Sequence, residues 1–276
     1  MNRSIRNGVV VFATTALALS VAYAEEPARP WTDSADFGLV MTTGNSQNLN
    51  VALSNKFVYK WTNAELTFDA ATLRAKSTTR VLTNDTAANT VTKTEFDTIN
   101  AEAYSLGGKY TRTIRGGFYW YVGAGWMSNK PTGIDNRYGA GGGVGYQFFK
   151  TDLQSLAVEL GVDYTKEKQT SGFSDSFAGA RAYLGYLRNI SKTAKFTEDF
   201  TLLENLSETS DLRAISVSAV TASLTSKLAL KVSLTLAYDN QPVVVDVPPT
   251  LAATATAPFE FDKLDTMLIA ALVINF

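Results

Sequence analysis

Alternation is the feature that most limits what this chain can become. From residue 33 onward, stretch after stretch places an apolar side chain at every second position. Phe118, Trp120, Val122, Ala124 and Trp126 form one set, and Leu156, Val158, Leu160, Val162 and Tyr164 another. Leu228, Leu230, Val232, Leu234, Leu236 and Tyr238 form the cleanest. A period of two places such side chains on one face of an extended strand. Beyond residue 30 no helical period outlasts a turn, and no apolar run is long enough for a membrane helix.

About twelve such segments are present, near 33–44, 47–60, 64–76, 96–110, 117–128, 137–149, 154–165, 175–189, 194–206, 211–223, 227–239 and 263–276. Most reach about ten residues or more. That exceeds the globular mode of about five or six and suits a tilted strand crossing a bilayer in about nine to eleven. Short links fall at Trp61–Asn63, Thr111–Gly116, Lys150–Leu153, Ile190–Thr193 and Leu224–Ser226. Long ones fall at Ser77–Glu95, Asn129–Asn136, Lys166–Ser174 and Asn240–Asp262. They alternate along the chain, apart from brief links at Asn45–Ser46 and Ser207–Ser210 on the long side. Outer-membrane barrels have short periplasmic turns and longer outer loops, whereas a β-sandwich has no reason to sort loops by parity. Aromatic residues cluster at the same two ends: Trp61, Phe118, Phe148, Phe196 and Phe276 beside the short turns, Trp126, Tyr138, Tyr164 and Tyr238 beside the long loops. Paired interfacial girdles are expected of a barrel in lipid.

These observations predict an all-β protein: one transmembrane up-and-down antiparallel β-barrel of about 12 strands over residues 25–276. Residues 1–24 predict a secretory signal peptide. Arg3 and Arg6 supply its basic region, Val9–Val21 its apolar stretch, and Ala22-Tyr23-Ala24 its cleavage site. The predicted location is the bacterial outer membrane, with its lipid and lipopolysaccharide as partners. The terminal run "ALVINF" then makes sense as a closing strand, because an open edge in lipid leaves backbone groups unpaired.

Composition removes whole classes of function. The 25 basic and 26 acidic residues leave a net charge of −1, with none of the basic footprint of a nucleic-acid binder. With no cysteine and no histidine, disulfides, thiolate metal sites and histidine-based hydrolysis are all absent. Glu65 with Asp69, and Glu159 with Asp163, are four apart on one strand, roughly 13 Å. That is too far for an acid/base pair on one bond. No catalytic residue, no cofactor and no metal ligand set is expected. Asp85 and Glu95 in the loop 77–95, with Asp97 just beyond it, could bind a divalent ion or bridge lipopolysaccharide, but their spacing matches no defined metal loop.

Two constellations remain. Lys56, Lys60, Glu65, Asp69, Glu102, Glu159, Asp163, Arg181, Lys231 and Asp265 are expected to point into the lumen, either lining a passage or filling it with ion pairs. Gly139, Gly141, Gly143 and Gly145 alternate along one strand, and no phosphate-binding glycine motif is met. They are expected to face inward opposite Gly123 and Gly125, with Tyr121 near Gly145 and with Gly123 and Gly125 near Gly143 and Gly141. Either tyrosine rings cover these glycines, or the glycines leave a bare strip of wall.

Three stretches resemble one family. "GLVMTTGNSQNLNVALSNKFVY", "GAGGGVGYQFF" and "LALKVSLTLAYDNQP" with the terminal strand are similar to segments of the salt-induced outer membrane proteins, an outer-membrane β-barrel domain family of unknown function. The resemblance runs from about Trp31 to Phe276, and the loop "VVVDVPPTLAATATAPFEF" departs from it. It implies a location and a fold, with no established activity. The terminal Phe276 resembles the signature by which the barrel-assembly machinery recognises such chains. Two functions stay open: a narrow passive channel for ions or small solutes, or a closed structural or stress-response barrel acting through its loops on envelope partners or lipopolysaccharide. A soluble secreted β-protein is a distant third, and enzymatic activity is not expected.

Overall fold

The computed structural model describes residues 29–42, 47–85, 90–242, 244–247, 257–260 and 262–276. The predicted signal peptide at 1–24 and the link Asn45–Ser46 lie outside these residues. Twelve strands form one closed antiparallel barrel: β1 (Trp31–Thr42), β2 (Gln47–Lys60), β3 (Ala64–Asp85), β4 (Thr90–Arg115), β5 (Phe118–Asn129), β6 (Ile134–Lys150), β7 (Gln154–Gln169), β8 (Ser174–Asn189), β9 (Ala194–Asn205), β10 (Leu212–Ser223), β11 (Leu228–Asp239) and β14 (Leu264–Asn275). Each barrel strand pairs with its neighbours in chain order, and β14 returns to β1 through Phe37 opposite Leu272 and Ser34 opposite Asn275. Two short strands, β12 (Val244–Val247) and β13 (Ala257–Glu260), form a separate hairpin within the last long loop.

The alternation read in the sequence is the alternation between the two faces of this wall. On β7, Leu160 and Val162 point outward and are 61% and 63% exposed, while Glu159 between them and Val158 is 1% exposed. On β14, Leu268 is 70% exposed and Val273, on the opposite face, is buried. An outer surface this apolar around the whole circumference has no favourable contact with water, and hydrocarbon supplies one. Around the short-turn rim the rings touch in series. Tyr59 packs on Trp61, Trp61 on Tyr110 and Tyr110 on Trp120, and Phe118 packs on Tyr146 and Tyr146 on Phe148. The β4–β5 turn at this rim is a glycine pair, Gly116 and Gly117, both with positive φ (57° and 90°). A two-residue hairpin whose twist matches its strands needs that conformation.

Two details differ from the sequence reading. The segment 77–95, expected as a loop, is largely strand: β3 runs to Asp85 and β4 starts at Thr90. Its threonines and valines favour extended backbone. The β5–β6 register also differs by two residues. Tyr121 lies opposite Gly143, Tyr119 opposite Gly145, and Gly123 and Gly125 face Gly141 and Gly139. An irregularity at Met127/Asn129 and a one-turn 3-10 helix at Lys130–Thr132 close this hairpin more tightly than plain counting allows. The shift is even, so every side chain keeps its face.

Candidate functional site

The lumen holds two layers of paired charge with a hollow between them. The lower layer is centred on Glu159 of β7, whose carboxylate is closed off from solvent. Lys109 Nζ of β4 reaches its Oε1 at 2.5 Å, Tyr119 Oη of β5 donates to the same oxygen at 3.0 Å, and Arg181 Nη1 of β8 reaches Oε2 at 3.3 Å. Lys109 lies over the Tyr121 ring at 4.6 Å, and the Arg181 guanidinium over the Tyr183 ring at 5.4 Å. Tyr183, 2% exposed, donates to Asp199 of β9. Five strands, β4, β5, β7, β8 and β9, thus send side chains into one septum. Each cation there stacks on an aromatic face and meets a carboxylate, which offsets the cost of removing charge from water.

The upper layer sits where the strands reach the long-loop rim. Arg137 Nε of β6 donates to Glu167 Oε2 at 2.7 Å. Arg213 of β10 approaches the same oxygen at 3.4 Å and also reaches Asp211 Oδ1 at 2.9 Å and Asp239 Oδ2 at 3.5 Å. A recess of about 80 Å³ lies beside it, lined partly by Asp262 and Asp265.

Between the layers is a chamber of about 220 Å³, roofed by Arg137 and floored by Lys109, Tyr121 and Arg181. Its wall is the glycine strip, and the two readings of that strip divide along it. Towards the short turns the glycines are covered: a Cβ on Gly145 would fall 2.3 Å from the Tyr119 ring, and one on Gly161 would fall 2.3 Å from Tyr121 Oη. Towards the long loops Gly123, Gly125, Gly139 and Gly141 line the chamber, and a Cβ on Gly139 would meet nothing within 4 Å. In two residues of the chamber wall a polar atom is closed off without a hydrogen-bond partner: Ser105 Oγ, and Asp163 Oδ1, which leans over β8 where a Cβ on Gly179 would fall 2.7 Å from it.

The residues expected in the lumen distribute as follows. Glu159, Arg181 and, at the chamber's edge, Asp69 and Asp163 come together around the septum and chamber. Lys56 and Lys60 of β2 stand opposite Asp69 and Glu65 of β3. Lys56 Nζ is buried without a hydrogen bond, within electrostatic reach of Asp199, Asp69 and Glu65. Lys231 of β11 pairs with Asp36 of β1 at 2.7 Å, across β14 and therefore across the barrel seam. Lys231→Gln is expected to lower stability by only about 1 kcal/mol, because both partners keep some solvent contact; a denaturant midpoint measures it.

Glu102 requires a correction. It lies outside, opposite Arg74 and accepting from Tyr104 Oη at 3.2 Å, while Ala101 and Ala103 on either side are buried inside. The inner face here is apolar, Ala101 and Ala103 lying with Leu73 in one buried cluster, so charge alone no longer marks the inner face. Asp97, on the same projecting ribbon, is engaged by Lys76 at 2.8 Å and Thr78 at 2.7 Å, and these hydrogen bonds hold its carboxyl below the usual range. The side chains of Asp85 and Glu95 fall outside the described residues. Among those described, no group of three or more acidic residues could hold a metal ion.

Lys109, Tyr183, Asp199, Arg137, Glu167 and Arg213 were not singled out from the sequence. One signal was available for the Arg137–Glu167 pair. They are direct cross-strand partners, which counting outward from the 151–153 turn, with its bulge, would have given.

Fold and lumen define a class: a twelve-stranded membrane-type barrel with a polar, partly hollow interior. Residues 35–276 match the family described as "Protein of unknown function, DUF481", and the chain belongs to that family. No curated protein matches the chain in sequence. Among solved structures, an outer membrane channel from Pseudomonas putida F1 is 13% identical with a TM-score of 0.45, covering 94% of this chain and 100% of the other. The translocator domain of autotransporter NalP from Neisseria meningitidis is 11% identical with a TM-score of 0.42, covering 89% and 86%. An anion-selective porin from Comamonas acidovorans is 11% identical with a TM-score of 0.39, covering 89% and 98%. What each of these conducts or exports is a property of that protein.

Proposed function

We propose that this protein is a narrow passive channel of the bacterial outer membrane, admitting ions and small polar solutes. The observation that carries the reading is the glycine-walled chamber, held open between two charged layers. Eight strands enclose a lumen that side chains just fill, and sixteen or more leave a wide channel; twelve strands with a strip of glycine stand between. The septum is then the selective constriction, where a passing ion exchanges places with the Lys109–Glu159–Arg181 cluster. The reading involves no enzymatic step. It takes the short turns as periplasmic, residues 1–24 as a cleaved leader, the barrel-assembly machinery as the partner in biogenesis, and lipid with lipopolysaccharide as the surroundings.

One observation favours the alternative, a closed barrel acting through its outer loops on envelope partners or lipopolysaccharide: Glu159 and Tyr183 are sealed from water. Liposome swelling separates the two. Vesicles carrying the refolded mature chain should swell in isotonic glycine or urea at a rate set by protein amount, and should stay inert in a disaccharide. Swelling no faster than in protein-free vesicles would favour the closed barrel.

A further inference from the structure

The outward wall of β6, β7 and β8 changes character where it reaches the long-loop rim. Along β7 the outward side chains run Leu160, Val162, Tyr164, Lys166 and Lys168, all exposed. Leu160 and Val162 belong to the apolar belt, and Tyr164 marks its aromatic border. The two lysines stand just beyond that border. Two positions apart on one strand, they share a face with their Cα atoms about 7 Å apart. Two flexible ammonium groups at that spacing can meet on one anion. Their cross-strand neighbours are polar: Lys166 lies between Tyr138 of β6 and Ser176 of β8, and Lys168 between Asn136 and Ser174. Positive charge is in excess here. Lys168 meets Asp135 loosely, at 3.3 Å with its own side chain 59% exposed, and Lys166 has no ion-pair partner among the described residues. On the β3–β4 side of the rim, by contrast, the charges match. Arg74 stands opposite Glu102, and Lys76 holds Asp97 at 2.8 Å.

We propose that this outer patch binds a phosphate of the glycolipid in the outer leaflet. The phosphate oxygens accept from Lys166 and Lys168, the neighbouring Tyr138 and Ser176 hydroxyls meet the sugar, and an acyl chain lies along Val162 and Leu160. Two ammonium groups side by side repel each other, and a phosphate between them turns that repulsion into attraction. The order of the side chains argues for an amphiphile. Such a lipid stacks hydrocarbon, sugar and phosphate across the interface in the same sequence as this wall. A free anion has no use for the apolar surface beneath the lysines. The inference rests on the membrane setting proposed above, with the long loops on the outer side; it needs no conduction.

The test is titration of the refolded full mature chain, in neutral detergent, with diphosphoryl lipid A, the bound lipid being counted by native mass spectrometry. Dephosphorylated lipid A, phosphatidylglycerol and inorganic phosphate serve as comparisons. One saturable site is expected, tightest for diphosphoryl lipid A and absent for inorganic phosphate. Lys166→Gln combined with Lys168→Gln should weaken it roughly tenfold or more, the loss of charge-assisted hydrogen bonds to phosphate. Lys166→Arg should retain it. Lys192→Gln, at an exposed lysine in a short turn of the opposite rim, should leave it unchanged. All three lysines are exposed, so heat-modifiable gel mobility should show a folded barrel in every variant. Equal binding of the dephosphorylated lipid or of phosphatidylglycerol, saturation by inorganic phosphate, or unchanged affinity in the double variant would overturn the proposal. Vesicle swelling without this binding sinks the inference alone, and binding without swelling sinks the channel alone.

Discussion

Glu159→Gln should destabilise the barrel by about 3–5 kcal/mol, the largest effect expected of any single charge removal here. The carboxylate is shut away from water and serves Lys109, Arg181 and Tyr119 together. An amide at its place leaves two inward cations with less counter-charge, and a buried charge deprived of its partner costs far more than the intact pair contributed. Urea titration of the refolded chain in lipid vesicles measures the loss. Lys109→Met in the same background should restore part of it, because one stranded cation then disappears. A shift under about 1 kcal/mol for Glu159→Gln would mean that water fills the septum and screens it, as at an exposed ion pair.

Two glycines of one strand should respond very unequally to the same change. Gly143→Ala should cost about 3 kcal/mol, at the upper end for overpacking. Its new Cβ would lie 2.1 Å from the Leu160 carbonyl oxygen, a backbone atom in the adjacent strand that cannot rotate aside. Gly139→Ala should fall within about 0.5 kcal/mol of the parent, because its Cβ enters the chamber. The folded fraction after refolding, read from gel mobility before and after heating, separates them. Equal losses for both would mean that the strip is needed for backbone coiling along its whole length and that the hollow is incidental.

How much of this was legible beforehand depended on one physical condition, contact with an apolar medium on one face. Where the wall meets the apolar belt, as on β7 and β11, alternation reveals strand, face and even the inward Glu159 and Lys231. At Glu102 the inner face is the apolar one, with Ala101 and Ala103 buried beside Leu73, and the charge stands outside, so the rule that inward means polar fails there. Register was harder than face, because the glycine–tyrosine pairing can move by two residues without altering any side chain's direction. The septum was least legible. Tyr183 and Asp199 come from the paired strands β8 and β9, but Lys109 comes from β4, and only closure of the barrel brings it to their level.

Single-channel recording of the purified, refolded mature chain in a planar lipid bilayer bears most directly on the channel. Under a salt gradient, small discrete steps are expected, well below those of a wide porin. Glu159→Gln, if it still inserts, should shift the reversal potential towards anion preference, since it removes the negative member of the septum. Gly139→Leu should reduce the step size without changing the sign of that potential. A bilayer that stays silent after insertion is confirmed by heat-modifiable mobility, or steps identical in all three proteins, would contradict a pathway through this chamber and septum.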